Sequence, residues 1–189
     1  VSPYSSSNVN SPIDKKPGFS TITAVLRPPA VGFTHIASPN HLDAPKMRQN
    51  YLESDDQRQA AIAGLRISRN IIAQPALASL GVEELTPGAA AQSESEILAF
   101  ARANVMSSFH QSGTCKMGVK EDRMAVVDSR LRVYGLKGLR VVDASIMPMI
   151  PSGNTNIPTL MIAEKGAAMI LEDRKARHAS KTTNGAAYG

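Results

Sequence analysis

Tryptophan is absent from the 189 residues, cysteine occurs once, and aromatic residues make up only 4%. Each shortage closes a class of explanation. A lone Cys115 forms no internal disulfide framework and supplies no cysteine-rich zinc centre. Four Phe and four Tyr, not interleaved with the scattered basic residues, make no stacking platform for a nucleic acid. No apolar stretch is long enough to cross a membrane: the greasiest, Thr159 to Leu171, is short and is broken by Glu164 and Lys165. No segment repeats. The chain opens on Val1 without a signal-peptide pattern, so the native N-terminus is expected to lie upstream.

What is present is ordinary in bulk. A hydrophobic content of 42% supports one core or two small ones, and the net charge of +5 comes from 21 basic and 16 acidic residues. The clearest basic excess, at Arg174, Lys175, Arg177 and Lys181, reads as a solvated end. Residues 1–20, rich in Ser, Asn, Pro and Lys, read as an extended arm. "FSTITAVLRP" (19–28) alternates like a strand, with "VGFTHIAS" (31–38) as its neighbour across Pro28 and Pro29. "SDDQ" (54–57) and "SESE" (93–96) are capping boxes. The first opens a helix to about Ala73 with Ile62, Leu65 and Ile72 on one face, ended by Pro75. The second opens a helix whose buried side is expected at Ile97, Ala101 and Val105. "MAVVDSRLRVYG" (124–135) and "LRVVDASIM" (139–147) read as short strands, so the class expected is mixed α and β.

Three dense stretches hold the polar residues that could carry chemistry. "PSGNTNIPTLMIAEKGAAMIL" (151–171) crowds Ser152, Gly153, Asn154, Thr155 and Asn156 at the mouth of an apolar helix starting near 156–158, where Pro158 suits the first turn and Thr155 or Asn156 suits a cap. Apolar on nearly every side, that helix is expected to run through an interior. Its uncovered N–H groups carry partial positive charge, which either its own side chains cap or an electron-rich ligand meets. "SSFHQSGTCKMG" (107–118) sets His110 before the small residues Ser112, Gly113 and Thr114, which allow close approach of a ligand; a hydrogen-bonded structural histidine is the plainer reading. "VVDAS" (141–145) ends an apolar run at Asp143, an acid suited to capping a turn or to approaching a phosphate or ribose.

In order, "FHQSGTCKMG", "VVDSRLRVYGLKGLRVVDASIMP" and "PSGNTNIPTLMIAEKGAAMI" resemble the C-terminal signature of the glucose/methanol/choline (GMC) oxidoreductases, FAD-dependent alcohol oxidases and dehydrogenases, with the nearest likeness to choline-dehydrogenase-like and aryl-alcohol-type members. The resemblance is dense over about 105–172 and weaker upstream. It implies an α+β fold: a substrate-domain portion, with an antiparallel sheet and flanking helices, over 21–125, then a segment over 126–172 supplying the last strand and helix of an FAD-binding domain, then a basic flexible tail over 173–189. The family's glycine-rich dinucleotide fingerprint, G-x-G-x-x-G, has no counterpart here. An N-terminal FAD-binding portion or companion chain is therefore the implied partner, besides a small alcohol substrate.

The resemblance assigns catalysis to His110 and Asn154, 44 positions apart. A neutral imidazole, with a reference pKa of ~6.5, suits removal of the alcohol proton while hydride leaves the carbon. Asn154 would donate to the developing alkoxide. Asp143, Ala144, Gly153, Asn154, Thr155 and Asn156 match positions that approach FAD, with Ala144 using its backbone N–H. Cys115 is implied to be structural rather than a nucleophile. His35, His41 and His178 form no metal-ligand spacing, and no metal is expected. Few aromatics for a cation cage favour a neutral primary alcohol or aldehyde hydrate over choline. Rival readings are an FAD-containing hydroxynitrile-lyase-like enzyme, whose relatives resemble a two-histidine site, and a non-catalytic subunit or fragment.

Overall fold

The computed structural model describes residues 12–185, so the first eleven residues of the expected arm and the last four of the expected tail lie outside the described residues. The chain divides by compactness into two units, one up to Ser108 and one from Phe109. Both helices and a small antiparallel sheet are present, the α+β class that the sequence suggests.

In the first unit, β1 (Phe33–His35) pairs antiparallel with β2 (Lys46–Arg48), with Thr34 opposite Met47. The strand expected over 19–28 does not form; apart from an isolated bridge at Ser20, that segment makes no ladder and most of it is exposed. Pro28 and Pro29 offer no N–H to a hairpin there. The turn that does pair strands lies between β1 and β2, where Asp43 accepts from Ser38 Oγ (2.6 Å) and from Asn40 Nδ2 (3.0 Å). Gly32 sits where an added Cβ would lie 1.9 Å from the Arg48 carbonyl oxygen, so the two backbones meet too closely for any side chain.

α1 (Asp55–Ile72) and α3 (Glu94–Asn104) start at Ser54 and Ser93, each with a complete capping box to Gln57 and Glu96. α1 ends before Pro75, which opens the single turn α2 (Pro75–Ala78). Ile62, Ala91 and Ile97 form the buried core, flanked by Leu65 and Phe100. Val105 does not belong to it: its extended backbone (φ −62°, ψ 135°) takes it out of the helix, and its side chain is exposed. Arg69 shapes the connection ahead of α3, binding Glu84 through Nε and Nη2 and the carbonyls of Gly88 (3.2 Å) and Ala91 (2.8 Å).

The second unit is built around Val127, Leu131, Ile146, Met147 and Ile162. The strands expected over 124–135 and 139–147 are replaced by single bridges, Met117–Val127, Val127–Val133 and Arg132–Arg140. Turns come too often for a ladder to grow. The Asp128 carboxylate accepts the N–H groups of Arg130 and Arg132, Leu131 takes a left-handed φ of 64°, and Ala144–Ile146 wind into a 3-10 turn.

α4 (Asn156–Gly185) begins where the sequence places it and continues through the basic segment. Within this chain one face of it is covered. Ile162, Gly166 and Met169 form one inward stripe, while Ile157 (71% exposed), Met161 (64%), Leu160 and Leu171 face outward. The bridged segment 117–147 packs against it and covers that face. Asp173, on the inward stripe, receives Arg130 Nη2 (2.8 Å) and Arg140 Nη2, and Arg130 also reaches Glu172 Oε2 (3.1 Å).

Two outcomes follow. An added Cβ at Gly166 would lie 2.4 Å from Val142 Cγ1 and 3.3 Å from Leu131 Cδ1. Alanine gains about 1 kcal/mol in helix propensity, but overpacking against a stiff β-branched neighbour costs about 1–3 kcal/mol, so Gly166→Ala should lower the urea midpoint. A raised midpoint would mean that the crossing is looser than described. The Arg140 guanidinium, and after partial burial has opposed it also Arg130, holds the Asp173 carboxyl below its ordinary value. A depressed folded-state value stabilises at pH above the unfolded carboxyl value of ~3.9 and is lost as pH falls through the folded one. The urea midpoint of the wild type should therefore drop more steeply in that acid range than that of Asp173→Asn; equal slopes would refute the linkage.

Candidate functional site

All the candidate residues fall in the second unit, and its backbone draws the three dense stretches together. The histidine loop is tied to the turn after Asp143: Cys115 N–H donates to the Ser145 carbonyl (3.0 Å) and Met117 N–H to the Ile146 carbonyl (2.8 Å). Gly113, with φ 89°, passes close to this turn, since an added Cβ would lie 3.3 Å from the Met147 carbonyl oxygen. Cys115 is thus held in a backbone-bonded run and is half-buried.

His110, half-buried, then reaches the head of α4. Its Nδ1 lies 3.0 Å from Thr155 Oγ1. Thr155 is itself fixed: it is 8% exposed, and its carbonyl accepts both the N–H (2.9 Å) and the hydroxyl (2.7 Å) of Thr159. Its hydroxyl therefore serves the imidazole at the helix entrance. Asn154 directly precedes it, and Ser152, Gly153, Asn154 and Asn156 are exposed. Nothing lies within 4 Å of where a Cβ on Gly153 would be, so the surface over the helix entrance is open at that point.

Asp143 has the plainer of its two roles within this unit. Its Oδ1 accepts the Ser145 N–H (2.7 Å) and caps the 3-10 turn, while Ala144 packs against the core. The loop also contains a buried hydroxyl, Ser112 Oγ, with no hydrogen-bond partner among the described residues. Nearby, Lys116 holds Asp122 at 2.6 Å and keeps its carboxyl below the ordinary range. His35, His41 and His178 are exposed, and among the described residues no three His, Cys, Asp or Glu gather as a metal site would require.

The donor set suits one kind of ligand. An imidazole, amides, a hydroxyl and the N–H groups at the start of a long helix offer hydrogen bonds and partial positive charge without a full cation. That fits the electron-rich, largely neutral edge of a flavin ring better than a metal ion. The unpartnered Ser112 hydroxyl in the histidine loop adds one more group able to bond a ligand.

Neither Thr155's contact with His110 nor the Ser112 hydroxyl was legible as such in the sequence. The separation of 45 positions between His110 and Thr155 exceeds any local rule, and only the fold makes them neighbours.

Comparison with known proteins identifies the family. A family model described as GMC oxidoreductase matches residues 28–163. A mitochondrial choline dehydrogenase of Mus musculus is 47% identical over 154 residues, covering 79% of this chain and 26% of that protein. An oxygen-dependent choline dehydrogenase of Vibrio vulnificus is 43% identical, covering 82% of this chain and 28% of its relative. Among solved structures, a fungal aryl-alcohol oxidase is 27% identical with a TM-score of 0.71, covering 79% of this chain and 25% of that one. The chain thus spans between 25% and 29% of the length of such relatives. With the family model covering most of its length, and the histidine loop, the 3-10 turn and the α4 entrance brought together, the chain belongs to the GMC oxidoreductases, a family of FAD-dependent enzymes.

Proposed function

We propose that this chain is the C-terminal, substrate-side part of an FAD-dependent alcohol oxidoreductase. The observation that carries the proposal is the His110–Thr155 contact of 3.0 Å at the entrance of α4, beside Asn154. It is supported by family membership.

FAD, when bound, supplies the acceptor for the hydride that leaves the alcohol carbon. His110 takes the hydroxyl proton as that hydride departs, which an imidazole does near neutral pH. Asn154 donates its amide N–H to the alcohol oxygen as negative charge grows there, and so orients the substrate. The entrance of α4, through Gly153, Asn154, Thr155 and Asn156, offers backbone N–H groups and partial positive charge to the cofactor. Asp143 and the N–H of Ala144 belong to the same cofactor face, with Asp143 also holding the 3-10 turn in shape. In this reading 21–125 is part of a substrate-binding domain and 126–172 returns to complete the FAD-binding domain. An N-terminal FAD-binding portion, on the same or a companion chain, supplies the dinucleotide fingerprint.

The paucity of aromatics points to a neutral primary alcohol, whereas the relatives at 43% and 47% identity are choline dehydrogenases. Choline is accordingly the first alcohol to test, and benzylic and simple primary alcohols come next.

The test is anaerobic addition of alcohols to the complete FAD-loaded protein, watched by visible absorbance. Bleaching of a flavin band supports the redox reading; no bleaching with any alcohol, together with cyanohydrin cleavage, would replace it with the lyase. His110→Ala should leave FAD bound and abolish bleaching, and reduction at the wild-type rate would remove His110 from its role. Asn154→Ala should slow reduction on the order of 10²-fold. The isolated 189 residues should bind FAD poorly in a fluorescence titration, and tight binding would show that they hold a complete cofactor pocket.

A further inference from the structure

We infer that Thr155 is a positioning residue that selects which nitrogen of His110 acts as base. The inference rests on the reading of His110 as base, and it adds a role for the Thr155 side chain that cofactor contact through its backbone does not require.

A neutral imidazole carries its proton on one nitrogen and its lone pair on the other, and the hydrogen bond made by one nitrogen decides the state of its partner. In this chain the nitrogen engaged is Nδ1, 3.0 Å from Thr155 Oγ1. When Nδ1–H donates to the hydroxyl oxygen, Nε2 keeps its lone pair and is free to take a proton. When the hydroxyl donates to Nδ1, Nε2 carries hydrogen and the base is lost. Base function at Nε2 therefore requires the first arrangement. Thr155 has little freedom to move its hydroxyl oxygen away from Nδ1. Buried at the head of α4 and bonded through its carbonyl to Thr159, it presents Oγ1 from a backbone the helix holds in place. His110 approaches from a loop that is itself tied to the 145–146 segment through Cys115 and Met117. The contact thus joins two separately anchored segments, and the ring is oriented as well as tautomerically set.

The proton position is directly measurable in the 189-residue chain. With 15N-labelled histidine, long-range 1H–15N correlation spectra at a pH of about 9, where imidazoles are neutral, distinguish the two tautomers, and His110→Asn identifies the His110 signals. His110 should be protonated at Nδ1 in the wild type, and Thr155→Val, which keeps the shape but removes the hydroxyl, should raise the Nε2-protonated population. Wild-type His110 protonated at Nε2, or a Thr155→Val spectrum unchanged from wild type, overturns the inference.

In the complete FAD-loaded protein, Thr155→Val should slow flavin reduction on the order of tenfold, as loss of one hydrogen bond allows, with KM little changed. Thr155→Ser should restore the rate. A serine variant as slow as the valine variant would assign the effect to packing and refute a role for the hydroxyl. His110→Ala separates the two proposals: if it still reduces flavin, the base assignment fails; if it is inert while Thr155→Val is fully active, only the role of Thr155 falls.

Discussion

Where α4 crosses Val142 there is room for a hydrogen atom and little else, and the arrangement of the second unit depends on that crossing. Gly166 lets the helix lie against Val142 and Leu131. Ile162 and Met169, one turn to either side, then complete the core around Val127, which is fully buried. The helix is further held at its head by the Thr155 hydroxyl on His110, and beyond the crossing by Asp173 between two guanidinium groups. Three attachments spread over 18 residues, about 27 Å of helix, fix its axis as well as its contact point. A unit lacking an extended sheet is thereby organised by one long rod.

The same helix shows how apolar sequence and burial part company. Ile157, Leu160, Met161 and Leu171 are exposed in this unit, although they are as greasy as the residues of its inward stripe. Scattered apolar side chains on a surface need no explanation, but a helix apolar on several faces is the pattern of an element covered on several sides. The fraction of the relatives' length that this chain represents fits with that pattern.

Features governed by neighbours in sequence were readable in advance, and features governed by distant partners were not. Both capping boxes are complete as expected, because every atom involved lies within four residues of the serine. The α4 start was equally legible from Pro158 and the polar residues before it. The strands expected at 19–28, 124–135 and 139–147 do not form, since alternation signals a strand only when a partner supplies the ladder, and turn chemistry at Pro28, Asp128 and Leu131 denies one. At the site, His110 and the 151–156 cluster stood out individually, while their contact depended on a residue 45 positions away. Asp143 illustrates the ambiguity of single residues: its carboxylate is visibly engaged in capping, and any second role acts from that geometry.

The exposure of Ser152, Gly153, Asn154 and Asn156 separates the helix entrance from the contacts that hold the helix. The side chains at the helix entrance face outward, and around Gly153 no protein atom is near enough to resist a larger one. The contacts that hold the rod in place lie at Thr155 and deeper, at Gly166 and Asp173. The contacts that place the helix and the side chains at its entrance thus fall at different positions of the chain. Changes at 152–154 and 156 would leave those attachments intact, so the placement of the rod does not depend on which side chains stand at its entrance.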